Sequence, residues 1–465
     1  MTELTVKSPY DGTVVGTLPL DTMASLESKL ATGHAIARDL SARMTVPERV
    51  AVLERLAELM RGRRAELGLL IAQEGGKPLT DALVEVDRAV DGVSLCVEHI
   101  KSDVGVRIPI ATNRMSAGRL AFTEKAPIGL VAAVSAFNHP LNLIVHQVAP
   151  AVASGCPVIV KPAPDTALSC AAFIDMLNEA GLPAGRGQIL VTEAIEVAEA
   201  LVTDARLAFF SFIGSANVGW MLKNKLAPGV RCALEHGGAA PVIVCADADY
   251  DKAIPALVKG GFYHAGQVCV SVQRVFVPAT QLDDFVARFT AQVQTLTVGD
   301  PTLATTDVGP LIRENEVVRI KGWVDEAKEA GAVCALGGEA ISSRVFAPTV
   351  LVNPPQDAAV SSKEIFGPVV CVYSYEQVDD AVAIANSLSV AFQAAVFTES
   401  IDTGLALSNA LDASAVMIND HTAFRDDVMP FAGLRHSGLG VGGIPHTIED
   451  MQIEKMTVIK SDSLS

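Results

Sequence analysis

The sequence predicts an α/β protein built on doubly wound parallel sheets, and three observations carry that reading. From Leu130 onward, short apolar runs alternate with segments of helical length: "LVAAVSAF", a helix after Pro140, "PVIVKP", a helix from Asp165 to Ala180, "GQILVT", a helix to Val202, then "LAFFSFIGS". After "RCALEHGGAAPVIVCA" the alternation resumes and runs through residues 240 to 420, so a second unit of the same kind is expected. Composition agrees, because 50% of the residues are hydrophobic and only 5% aromatic, a mixture that packs helices tightly onto buried strands. At 465 residues the chain is too long for one core and should divide into two or three domains.

Earlier elements follow in order. The N-terminal "MTELTVKSPYDGTVVG" lacks a basic region followed by an apolar one, so no secretory signal is expected. No apolar run approaches the roughly 20 residues of a membrane span, and a cytoplasmic location is the expectation. Residues 46 to 73 set Val50, Leu53, Leu56, Ala57 and Met60 at helical spacing with Pro47 in a first turn, which predicts one long amphipathic helix. "GGKP" at 75 to 78 ends it, and a second helix is expected from about Asp81 toward His99. "VGVRIPIATNRMSAGRLAFTEKAPIG" alternates apolar and polar residues around a Gly-bearing turn, predicting a β-hairpin that projects from its domain. The tail "MQIEKMTVIK" has strand character and suits the sheet edge of another subunit.

Charge and cysteine usage exclude whole classes of function. A formal charge of −17 with no basic run repels a phosphate backbone, so nucleic acid is not an expected partner. The eight cysteines (96, 156, 170, 232, 245, 269, 334, 371) form no C-x-x-C pair, and neither a disulfide framework nor a metal site is expected.

Four short stretches can carry chemistry, each with a bland alternative. In "FFSFIGSANVGW" an apolar strand runs into Gly214-Ser215 and a helix start, which is either an ordinary helix capped by Ser215 or a pyrophosphate seat on free N–H groups. No G-x-G-x-x-G marks the first βαβ unit. "VIVKPAPDTALS" ends a buried strand on Lys161, whose ammonium either snorkels to solvent or reaches ribose hydroxyls or phosphate. "ALEHGGAAP" carries Glu235, either a solvated strand-end carboxylate or, in apolar surroundings, a general base. "GQVCVSVQR" carries Cys269, either a small core residue or a nucleophile whose pKa is lowered by nearby amide groups.

Taken in order, "FNHPLN" (137 to 142), "VIVKP" (158 to 162), "FIGSANVG" (212 to 219), "LEHGG" (234 to 238), "GQVC" (266 to 269), "KEIFGPV" (363 to 369) and "PFAGLRHSGLG" (430 to 440) resemble the aldehyde dehydrogenase superfamily from about residue 8 to residue 460. The resemblance implies two Rossmann-like domains and an arm. It divides the chain into a cofactor domain (1–109 and 127–236), a catalytic domain (237–445) and a bridging, oligomerising arm of hairpin plus C-terminal strand (110–126 and 446–465), which implies a homodimer or homotetramer. It makes Cys269 the nucleophile, Asn138 and the Cys269 N–H the oxyanion donors, and Glu235 the base that hydrolyses a thioester. Glu235 also argues against the coenzyme-A-acylating branches, and the four retained residues argue against a catalytically silent binding protein. The cofactor is NAD or NADP. Gly214, Ser215 and Gly219 would serve its pyrophosphate segment, Lys161 and Pro164 the adenosine ribose, and Glu364 and Phe366 the nicotinamide ribose and ring.

Departures from the family pattern add expectations. Pro164 stands where NAD-preferring members carry a ribose-binding glutamate, so NADP is expected to be accepted, alone or alongside NAD. Gln147 and Gly442 replace a lysine and a glutamate linked to Glu235's proton traffic, which implies an altered proton route. "FNHPLN" with His146 resembles the branch acting on lactaldehyde, glyceraldehyde 3-phosphate and phosphonoacetaldehyde. His139, His146, His421 and Arg425 are the expected substrate-side residues. Val268, where phosphonoacetaldehyde members have an arginine, disfavours a dianionic head group. The expected substrate is a short or medium aldehyde, with or without a hydroxyl; aromatic aldehydes and semialdehydes are the alternatives.

Overall fold

The computed structural model describes residues 2–464 and contains two large parallel sheets, each covered by helices. The first has the spatial order Gly438–Leu439, Arg231–Glu235, Leu207–Ile213, Leu130–Val134, Val158–Lys161, Gly187–Ile189. All its pairs are parallel except the short Gly438–Leu439 edge. Leu130–Val134 is earliest in sequence yet lies in the middle, so the winding reverses beside it. A ligand crevice is expected at the carboxyl ends there.

The second sheet runs Val333–Leu336, Thr349–Val352, Val369–Tyr375, Val272–Pro278, Ala240–Val244, Gln393–Phe397, Ala415–Ile418, with only the Val333–Leu336 edge antiparallel. Every residue of Val272–Pro278 is buried. A strand covered on both faces needs no polar alternation, which is why Leu130–Val134 and Ala240–Val244 read as continuous apolar runs, while Gln273 and Arg274 within Val272–Pro278 hydrogen-bond to backbone carbonyls.

Most predicted elements form where expected, with one correction. The single helix over 46 to 73 is two helices, Val46–Gly62 and Arg64–Gly75, interrupted at Arg63 (φ −107°, ψ 17°). The change of direction lets Leu67, Ile71 and Ala72 join the core that Leu53, Leu56 and Met60 enter from the first helix. Thr45 and Glu48 form a capping box at the first N-terminus, and left-handed Gly76 (φ 69°) terminates the second. The tail forms a strand, as predicted, at the edge of a three-stranded sheet. Gln452–Lys460 pairs over its whole length with Arg119–Pro127 of its own chain, which also pairs with Arg107–Ile108 as the predicted hairpin. Long reciprocal backbone pairing satisfies the strand internally and leaves only its outer edge for any further partner. No helix among the described residues is long and apolar enough to cross a membrane.

Candidate active site

One cavity of about 780 Å³ opens at the carboxyl ends of the first sheet and extends to the second. Its size lies within the usual range for small-molecule and cofactor sites. Val134, Lys161, Ile213 and Glu235 reach it from four strand ends of the first sheet, and Cys269 and Glu364 from loops of the second.

The Cys269 loop is held under strain. After helix Tyr250–Phe262 the chain passes through His264 (φ 48°), Ala265 (φ 54°) and Gly266 (φ 70°), three consecutive left-handed residues. Only the last suits that region, and a Cβ on Gly266 would stand 2.1 Å from the Gly367 carbonyl. Gln267 clamps the turn, with Oε1 accepting from the Ile312 N–H (3.0 Å) and Nε2 donating to the carbonyls of Pro310 (3.2 Å) and His264 (3.3 Å). Asn138 Nδ2 donates to the Gln267 carbonyl at 3.0 Å, fixing its amide beside the cysteine.

The Asn138 loop leads into helix Asn142–Ser154, which lacks a side-chain cap of its own. Glu85, from helix Leu79–Ser102, supplies it: Oε1 accepts from the N–H groups of Leu141 (2.9 Å) and Asn142 (3.1 Å), and Lys77 pairs with the other oxygen. Both charges are fully buried, so each needs the other and the helix end.

Electrostatics in the cavity follow from burial. Burial pushes the Glu364 carboxyl up to about 8, Arg319 opposing, and its Oε1 is buried without a hydrogen-bond partner. Glu235 is also raised by burial, with His146 and Arg425 opposing. Contrary to the expectation of a lowered value, the Cys269 thiol is raised far above the usual thiol range by burial and then by Glu364 and Glu235, with Arg425 opposing. Carboxylates outweigh amide groups at this thiol.

Most predicted site residues meet here: Asn138, His139, His146, Lys161, Pro164, Gly214, Ser215, Glu235, Val268, Cys269, Glu364, Phe366 and Arg425 all line the cavity. Ser215 occupies the N-cap position of helix Ala216–Lys223 without making a side-chain cap bond, and Ser215, Asn217 and Val218 of this helix start line the cavity. Two predicted residues do not form the wall. Gly219 lies behind it, where a Cβ would stand 2.0 Å from His236 Cε1, so this glycine serves close packing. His421 packs against Gly260 of helix Tyr250–Phe262, and its Nδ1 accepts the Ala423 N–H at 3.1 Å. Motif membership identified both residues without saying which way they face.

The sequence reading missed a charged cluster on the opposite wall. Asp427 Oδ1 binds Arg88 at 2.6 Å and His146 Nε2 at 2.9 Å, with Arg425 Nε at 3.8 Å. Arg425 stacks on Phe431 at 4.2 Å and donates to the Met429 carbonyl at 2.9 Å. Proximity to Arg425 was the one available signal for Asp427; nothing in sequence distinguishes Arg88 from other helix-face charges. Also missed were Trp323 and Arg319, stacked at 4.5 Å on the far side of the cavity.

Comparison with known proteins agrees with this geometry. The description "Aldehyde dehydrogenase family" matches residues 1–457. A 3-sulfolactaldehyde dehydrogenase of Priestia aryabhattai is 36% identical over 413 residues, covering 89% of this chain and 86% of the relative. A lactaldehyde dehydrogenase of Methanocaldococcus jannaschii is 32% identical over 461 residues, 98% of this chain and 97% of the relative. The crystal structure of the glyceraldehyde-3-phosphate dehydrogenase GapN from the same organism, complexed with NADP, superposes with a TM-score of 0.92 at 32% identity, covering 98% of this chain and 99% of that one. With the Cys269 loop, a buried carboxylate and a doubly wound sheet meeting at one cavity, and with the family match running over residues 1–457, this chain belongs to the aldehyde dehydrogenase family.

Proposed function

We propose that this chain oxidises an aldehyde to the carboxylic acid by covalent catalysis on Cys269, with NAD or NADP as hydride acceptor. The observation that carries the reading is that Cys269, Asn138, Glu235 and Glu364 line one cavity. The residues fit a nicotinamide dinucleotide: Glu364 offers a buried, unpartnered oxygen for a ribose hydroxyl, Ser215 opens a helix N-terminus, and Lys161 stands at a strand's carboxyl end.

Attack by the Cys269 sulfur on the aldehyde carbon places a developing oxyanion beside the Cys269 N–H and the Asn138 amide. One Asn138 N–H is committed to Gln267, which orients the other. When bound, the dinucleotide supplies the acceptor for the hydride that leaves the adduct, which becomes a thioester on Cys269. Glu235 then takes a proton from water attacking that thioester, and the C–S bond breaks. Burial keeps Glu235 basic enough for this task.

NADP is accepted, we infer, because Pro164 removes a carboxylate at the ribose end and the neighbouring Asp165 is paired with Arg313. The division into cofactor domain, catalytic domain and arm, and a dimer or tetramer built on the arm, belong to the same proposal. For substrate, the reading is a short or medium aldehyde able to carry a hydroxyl, met by His139 and His146. A semialdehyde or other singly anionic aldehyde is favoured by one observation: two guanidinium groups, Arg88 and Arg425, face a single carboxylate, Asp427. The sulfolactaldehyde and lactaldehyde relatives support both readings. The deciding experiment compares kcat/KM for lactaldehyde, glycolaldehyde, succinate semialdehyde and benzaldehyde with each cofactor. Activity confined to benzaldehyde would overturn the substrate reading; no turnover of any aldehyde, with Cys269 unreactive to iodoacetamide, would overturn the activity.

A further inference from the structure

Glu235 has to pass on the proton it takes from water before it can act again, and its neighbours narrow the route. Gln147 is committed elsewhere: Nε2 donates to the carbonyls of Val134 and Ser211, both at 3.2 Å, and lies 3.0 Å from Ser211 Oγ. An amide accepts no proton near neutrality. Gly442 has no side chain, and its backbone is bridged to Phe431. The charged groups that bear on the Glu235 carboxyl are His146 and Arg425. A guanidinium stays protonated, which leaves His146.

The geometry around His146 suits that task. Its Nε2 is 2.9 Å from Asp427 Oδ1, and Arg88 holds the same oxygen at 2.6 Å. Burial raises the Asp427 carboxyl, but His146 and Arg88 outweigh it and hold the group well below the usual carboxylate range. A permanently ionised carboxylate at Nε2 keeps the proton there and leaves Nδ1 as a lone pair, the same second-partner logic that sets the tautomer of other working imidazoles. Nδ1 has no hydrogen-bond partner among the described residues, and His146 and Glu235 line the same cavity. The groups facing the imidazole are Asp427 and Arg425 from the loop before Leu434–Arg435, Arg88 from helix Leu79–Ser102, Glu235 from its strand end and His139 from the loop before its own helix.

We propose that His146 and Asp427 form a proton-relay pair that clears Glu235 during thioester hydrolysis, with His146 a positioning residue acting through Glu235; this rests on the Cys269 mechanism above. Water gives one proton to Glu235 as its oxygen bonds the acyl carbon, and the C–S electron pair leaves on the Cys269 sulfur. The Glu235 proton passes to His146 Nδ1, and the imidazolium, facing Asp427, returns it to bulk water. No oxidation or reduction accompanies these transfers.

The test follows the first turnover and the decay of the acyl-enzyme, from pH 6 to 9, in native enzyme, His146→Gln and Asp427→Asn. Glutamine can keep the bond to Asp427 while removing the proton acceptor. Because His146 and Asp427 also line the substrate cavity, the first turnover is read at saturating aldehyde, where both variants are expected to keep the native amplitude of reduced cofactor and to lose far less acylation rate than deacylation rate. Their deacylation should be slowed by about a hundredfold, with a flattened pH profile. Added imidazole should partly restore His146→Gln. Native deacylation rate and pH profile in either variant would overturn the proposal, as would parallel loss of acylation and deacylation. A Glu235→Gln enzyme that never carries an acyl group on Cys269 after acid quench would instead overturn the Cys269 reading.

Discussion

Gly442 lies directly against the Glu235 carboxylate: a Cβ at residue 442 would stand 2.2 Å from Oε1 and 2.9 Å from Cδ. The Glu235 carboxylate therefore occupies space that any side chain at 442 would claim. Gly442→Ala should displace the carboxylate and slow thioester hydrolysis by about tenfold to a hundredfold, the range for a roughly 1 Å misplacement of a reacting group. Acid-quench mass spectrometry should show acyl-enzyme accumulating on Cys269. Unchanged kcat, with no accumulation, would show that Glu235 tolerates the added methyl group.

The raised Cys269 thiol should make the resting protein slow to alkylate. Because burial, Glu364 and Glu235 all favour the neutral form, iodoacetamide alkylation should accelerate from pH 7 to 9 without reaching a plateau. Glu364→Gln should speed it above pH 8, where the native carboxylate is ionised, and Arg425→Met should slow it. A plateau below pH 8 in the native enzyme would contradict the electrostatic picture.

Cofactor binding should expel a proton. Glu364, pushed up to about 8 by burial, is mainly protonated at pH 7, and hydroxyl donors from a ribose favour its charged form. Its pKa therefore falls on binding, and release is largest between the bound and free values. Titration calorimetry at pH 7 in phosphate and in Tris should give enthalpies differing by close to one buffer ionisation per site. Glu364→Gln should abolish the difference; equal enthalpies in the native enzyme would refute the assignment.

Restoring a carboxylate at residue 164 should restore discrimination. Pro164→Glu is expected to lower kcat/KM for NADP by about tenfold or more while sparing NAD, since one like-charge contact of about 1.4 kcal/mol suffices. Steady-state kinetics with both cofactors reads this directly, and an unchanged NADP to NAD ratio would remove Pro164 from the specificity argument.

The alternation of strands and helices was legible because parallel strands buried on both faces, such as Leu130–Val134, leave an unbroken apolar signature. Cys269 was legible only through its company: alone in sequence, it looks like Cys371, a buried core thiol. The Arg88–Asp427 pair was invisible, because its partners lie 339 residues apart and each resembles an ordinary surface charge. The break at Arg63 escaped notice because both helices present apolar residues at the same period, and only the tertiary core decides their relative direction. Gly219 and His421 show a different limit, since a motif names residues but not the direction in which they point.

The Glu85 cap on helix Asn142–Ser154 ties the site to a distant lever. Helix Leu79–Ser102 carries both Glu85, which anchors the segment following Asn138, and Arg88, which grips Asp427. The amide that would meet the oxyanion and the carboxylate that orients His146 are thus mounted on one rigid strut. Slippage of that strut would detune acylation and deacylation together, so selection on either step constrains the same helix.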